Sequence, residues 1–154
     1  MADSLHVAFV ASEVAPFMKT GGLADVAAAL PKALGRLGHR VTIFLPRYGA
    51  IPYPAGTFAG SVHVPVDATP RSAGFYRRAL APNVEIVFVE HPPFFDRPQP
   101  YGEGNRDYPD NRLRFAFLSR AVIAIAPGTA SGVLPEQRRS PRPICPTSRN
   151  FGRS

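Results

Sequence analysis

The chain has no tryptophan and a single cysteine, Cys145, among its 154 residues. One thiol excludes an intramolecular disulfide framework and a cysteine-built zinc site, and it suits a reducing compartment. No stretch approaches the ~18 consecutive apolar residues that a membrane-spanning helix requires, so no membrane partner is expected. An acidic Asp3 stands where a secretory signal would carry basic residues, and the apolar run that follows is short. Together these absences predict a cytoplasmic protein. Phosphate-binding fingerprints are missing too: there is no G-x-x-x-x-G-K-[ST] and no G-x-G-x-x-G, which argues against a P-loop and against the ordinary dinucleotide turn.

Positive charge is plentiful, with a formal net charge of +7, yet its distribution speaks against nucleic acid. Arg138, Arg139, Arg142, Arg149 and Arg153 lie in residues 127–154 against the lone acid Glu136. The rest of the chain is close to balanced, and the basic tail lacks the interleaved aromatics of a base-stacking surface. That tail is rich in Pro, Ser and Arg without a hydrophobic period, and it cannot bury enough apolar surface to offset its ordering entropy. Two units are therefore expected: a folded body over 1–126 and a disordered tail over 127–154. The tail's composition is that of translation in a shifted frame or of an abrupt truncation.

The body reads as α/β. Leu5 to Ala11 is almost continuously apolar, as for a strand covered on both faces. Leu23, Val26, Ala27, Leu30, Leu34 and Leu37 recur at spacings of three and four and predict one apolar helical face, with Gly38 as its stop. Pro31 predicts a kink or a tightened turn near Leu30. Val41 to Leu45 supplies a second β-branched run, and the three pieces predict a right-handed βαβ unit with parallel strands. Val62–Val66, Phe75–Leu80 and Val84–Val89 follow as a meander that extends or flanks the sheet. A long loop from His91 to Asp110 should tuck Phe94 and Phe95 onto the core, and Asp110 or Asn111 should cap a last helix that fades near Ala126.

Lys19-Thr20-Gly21-Gly22-Leu23 lies at the first strand-to-helix junction. Glycines permit positive φ and let a ligand reach the backbone, a helix N-terminus adds unpaired N–H groups, and Lys19 adds a mobile charge. Lys19 is one of only two lysines among eighteen cationic residues. A phosphate-bearing ligand fits this chemistry; a plain Gly-Gly turn with a solvated lysine fits the spacing equally. Glu13 and Asp25 flank the loop, but two isolated carboxylates do not make a metal site, and capping or loop ordering suits them better. No metal and no cofactor is expected.

Several segments share a register with a known family. Val10-Ala11-Ser12-Glu13-Val14-Ala15-Pro16-Phe17, the following Lys19 to Val26, Ala29 to Leu34, and Leu45-Pro46-Arg47-Tyr48 resemble the N-terminus of bacterial glycogen synthases and plant starch synthases. Phe95-Asp96-Arg97-Pro98, Tyr101-Gly102, Asp107 to Asn111 and Arg114 to Phe117 resemble the same family's later signature. The resemblance covers about residues 5 to 126. It implies the N-terminal half of an architecture with two Rossmann-like domains. It also implies a retaining glucosyltransferase that moves glucose from ADP-glucose to the non-reducing end of an α-1,4-glucan. By position, Lys19 would contact the donor diphosphate, Gly21 and Gly22 would bring amides near the phosphates or the glucose, Asp25 would order the loop, and Tyr101 would touch the glucan. For Tyr101, packing or loop anchoring is the competing role.

The family's later His-Asp-Trp-His type motif, its second domain and its essential Glu have no counterpart here, and all four histidines precede the expected place. No catalytic residue is therefore assigned within the chain. A glucosyltransferase fragment inactive by itself is the first functional expectation. A non-catalytic nucleotide-sugar or glucan binding module, or a nonfunctional gene fragment, is the alternative.

Overall fold

The computed structural model describes residues 3–52 and 55–126, so the tail expected over 127–154 lies outside the described residues. Strand β1 (His6–Val10) leads through a turn and the Lys19–Gly21 loop into helix α1 (Gly22–Arg36), and the chain returns as β2 (Arg40–Pro46). The two strands are parallel, pairing His6 with Arg40 through Val10 with Phe44, as the apolar runs predict. Gly38 follows the helix at φ +92, the left-handed conformation of a glycine stop.

The meander extends the sheet instead of flanking it. Strands β3 (Thr57–His63), β4 (Ser72–Ala81) and β5 (Val84–Glu90) join it in the order β1-β2-β5-β4-β3. Strand β5 runs parallel to β2, and β4 and β3 continue antiparallel. Asn83 takes a positive φ of 61 in the tight turn between β4 and β5, where an asparagine tolerates it. Ile43, Leu45, Ile86, Val87 and Phe88 form the fully buried middle of the sheet.

Helix α1 turns a different side to the sheet from the one its leucines predict. Ala24, Ala27, Pro31 and Gly35 are buried, whereas Leu23, Val26, Leu30 and Leu37 are exposed and Leu34 is half-buried. The physical reason is close approach: a Cβ on Gly35 would lie 2.6 Å from Val84 Cγ2 and 3.0 Å from the Pro82 carbonyl. Only a side of small residues lets the helix sit that near the sheet. The helix also stays α-helical through Pro31, without the expected tightened turn; its ring is buried in the helix–sheet contact. Strand β1 departs from expectation in the same direction. It is the sheet's edge among the described residues and alternates exposed with half-buried, because Val7 and Phe9 on one face pack against the core and His6, Ala8 and Val10 on the other do not.

The His91–Asp110 segment is more ordered than a loop. It holds the single turn α2 (Pro92–Phe95), which buries Phe94 and Phe95, and a short hairpin of β6 (Gly102–Glu103) and β7 (Arg106–Asp107). Helix α3 (Asn111–Ile125) follows with Arg114, Phe117, Leu118, Ala121 and Val122 buried. Asp110 occupies the N-cap position of α3, but its carboxylate does not cap the helix. It grips Arg97 at 2.6 and 2.8 Å instead.

Candidate functional site

A tight turn over residues 14–18 folds the chain back on itself after β1, with Phe17 and Met18 donating to the Val14 carbonyl. This reversal sets Glu13 beside Thr20 and Gly21. Glu13 is 3% exposed, and its carboxylate accepts four hydrogen bonds. The Thr20 amide donates at 2.5 Å, the Thr20 hydroxyl at 2.8 Å, the Gly21 amide at 3.3 Å and the Tyr101 hydroxyl at 2.7 Å. Burial opposes ionisation here, yet these donors outweigh it and hold the carboxyl below its ordinary range. Because the Tyr101 proton goes to Glu13, the Ser12 hydroxyl is the donor in the 2.7 Å contact between Ser12 and Tyr101.

Tyr101 is thus an anchor. Its ring is half-buried near Phe115, its carbonyl accepts from the Asn111 side chain at 2.7 Å, and burial pushes its phenol up. The five residues singled out from the sequence divide in two. Tyr101 meets the glycine loop through Glu13, while Lys19 and Asp25 form their own exposed pair, the ammonium donating to both carboxylate oxygens at 2.8 Å. A pair this exposed contributes roughly 0–1 kcal/mol to stability.

The two glycines do not form the positive-φ turn that their residue type permits. Neither Gly21 nor Gly22 has a positive φ; Gly21 is extended at φ −155. The Gly21 amide points inward to Glu13, so it is not the outward donor expected. Nothing in the fold requires either glycine, because a Cβ at each would meet no atom within 4 Å. What their lack of a side chain leaves is open space in front of the first turn of α1, and no side chain caps that turn. The outward donors are therefore the Lys19 ammonium and the start of α1.

Charge sets the terms on which an anion could approach the loop. Lys19 pairs with Asp25, so an anion at the loop must draw Lys19 away from that carboxylate.

Two contributors escape a local reading. Ser12 finds its partner 89 residues away in Tyr101, and only a long-range fold could reveal that. Arg114 is fully buried. Its guanidinium donates to the carbonyls of Phe94 at 2.7 Å and Pro100 at 3.0 Å and to Asn111 Oδ1 at 2.6 Å, and lies 4.9 Å from the Tyr108 ring centre. It thereby shapes the segment that delivers Tyr101. Its place in the Arg114–Phe117 signature was the available signal.

Residues 6–136 match the model of the starch synthase catalytic domain. The chain is 48% identical over 133 residues to a glycogen synthase of Anaeromyxobacter dehalogenans, covering 85% of this chain and 27% of that protein. It is 45% identical over 121 residues to a glycogen synthase of Koribacter versatilis, covering 77% and 25%. The solved catalytic domain of starch synthase IV from Arabidopsis thaliana, bound to ADP and acarbose, superposes with a TM-score of 0.65 at 34% identity. That match covers 79% of this chain and 25% of the Arabidopsis one. The chain spans about a quarter of the length of these relatives. The motif register, the parallel β1–α1–β2 unit and the family match agree: the chain belongs to the starch synthase catalytic domain family.

Proposed function

We propose that this chain supplies one wall of the donor site of a retaining glucosyltransferase, which moves glucose from ADP-glucose to the non-reducing end of an α-1,4-glucan in the cytoplasm. The observation that carries this reading is the loop at the head of α1. Lys19 is held outward by an exchangeable partner, and two glycines that the fold does not need leave room before an uncapped helix start. A diphosphate at this point would take the Lys19 ammonium from Asp25. That positive charge would then oppose the negative charge developing on the departing nucleotide. Gly22 and the first turn of α1 would face the phosphates or the glucose, and Tyr101 would stand toward the glucan.

Catalysis needs groups beyond the described residues, so the 154-residue chain by itself is expected to bind without turnover. A second reading, a binding module without catalysis, has the completeness of this loop within one short chain in its favour. Calorimetry with ADP and with acarbose tests both. Weak ADP binding that is lost in Lys19→Ala supports the donor-wall reading, whereas binding of acarbose alone supports a glucan module. Heat from neither ligand removes both readings. Glucose transfer from ADP-glucose by the purified chain would show that the catalytic groups are present after all.

A further inference from the structure

The Glu13 carboxylate is the most heavily engaged polar group at the site, and all four of its partners are donors. Two are backbone amides of the glycine loop, one is the Thr20 side chain, and one is the hydroxyl of a residue 88 positions away. An ionised carboxylate suits this arrangement because it is purely an acceptor, and each hydrogen bond to it is charge-assisted. On its other side, where Lys19, Gly21 and Gly22 are exposed, the loop is held by the solvent-exposed Lys19–Asp25 pair.

We infer that Glu13 is a positioning residue: it ties the Lys19–Gly21 loop to Tyr101 through one buried carboxylate, so loop shape and tyrosine placement depend on each other. The inference rests on the donor-wall reading for its functional meaning, since the loop would face the diphosphate and Tyr101 the glucan. By occupying the Thr20 and Gly21 amides from behind, Glu13 turns the loop so that Lys19 and the head of α1 face outward. A ligand that moves the loop then moves the Glu13 carboxylate and, through it, the Tyr101 hydroxyl. Ser12 completes the chain by donating to that hydroxyl.

The chemistry separates two substitutions. Glu13→Ala removes all four acceptor contacts. Glu13→Gln keeps one acceptor oxygen for the two amides and places an NH2 against two hydroxyls, which can rotate to accept. Tyr101 would then donate to Ser12 instead. The conservative variant should therefore restore the loop in part.

The test uses amide hydrogen exchange by NMR on the full chain, together with ADP calorimetry. In the wild type the Thr20 and Gly21 amides should be protected at least tenfold over the amide of Gly22 at the uncapped head of α1. Glu13→Ala should abolish that protection, Glu13→Gln should retain part of it, and Tyr101→Phe should weaken it although Tyr101 touches neither amide. ADP affinity should fall about tenfold in Glu13→Ala and roughly threefold in Glu13→Gln. If Glu13→Ala does not fold, Glu13→Gln and Tyr101→Phe carry the same comparison. Unchanged Thr20 and Gly21 exchange in the folded variants overturns the inference, as does unchanged ADP affinity alongside lost protection. Should the wild type not bind ADP, the donor-wall reading fails by itself, and the exchange pattern still decides whether Glu13 ties loop to tyrosine.

Discussion

Two cations show how differently this molecule uses its polar groups. Arg114 is fully buried, bonded to three fixed acceptors and packed near the Tyr108 and Phe115 rings. Lys19 is exposed and, among the described residues, held by Asp25, itself exposed. The first is consumed by the fold; the second is lent to a partner that solvent or a ligand can replace. The glycines divide in the same way. Gly35 is required by the backbone and side chain that press on it, whereas Gly21 and Gly22 face open space. Groups that the fold does not use are the ones that the proposed donor-site reading assigns to a ligand.

The sharpest way to break this contrast is to exchange the two cations' fates. Arg114→Leu should destabilise the chain by about 3 kcal/mol or more, because three acceptors lose their donor at roughly 1 kcal/mol or more each. Lys19→Ala should change stability by less than about 1 kcal/mol. Urea unfolding of both variants measures the difference, and equal losses would erase the distinction. The glycine pair follows. Gly35→Ala should cost about 1–3 kcal/mol from the clash with Val84, while Gly22→Ala should leave the thermal midpoint unchanged or raise it.

Acidity sharpens the comparison within the site. Glu13 is held below its ordinary value, so its contribution to stability is present above the unfolded-state value and is lost as pH falls through the lowered one. Urea unfolding across an acidic pH series should show that loss, and the Glu13→Gln variant should lack its share of it. The smallest effect belongs to the outer side of α1. Leu30→Lys should shift stability by no more than about 0.5 kcal/mol, as at other exposed sites, although the heptad-like spacing marks Leu30 as core.

That last case shows where sequence reading stops. The parallel β1–α1–β2 unit was legible because continuous apolar runs and a glycine stop are local signals. Which side of α1 faces the sheet was not, since the leucine spacing describes a valid apolar face and only the close approach at Gly35 makes the small-residue side the buried one. The site divides by sequence distance. Lys19, Gly21, Gly22 and Asp25 lie within one short segment and stood out by residue type. The link from Glu13 to Tyr101 spans 88 residues and depends on the whole 91–114 segment being placed. Arg114 was hidden for another reason: arginine is rarely buried, and a position on an amphipathic helix does not reveal that rings and carbonyls surround it.

The exposed leucine side of α1 and the one-sided strand β1 also govern how copies of this protein meet in solution. Like charge, +7 on every chain, keeps the molecules apart at long range. At contact, Leu5, Val10, Leu23, Val26 and Leu30 and the edge that β1 presents among the described residues attract instead. Salt shortens the reach of the repulsion to about 10 Å at 0.1 M and leaves the apolar attraction intact. Raising ionic strength is therefore expected to increase self-association, which light scattering across a salt series would check.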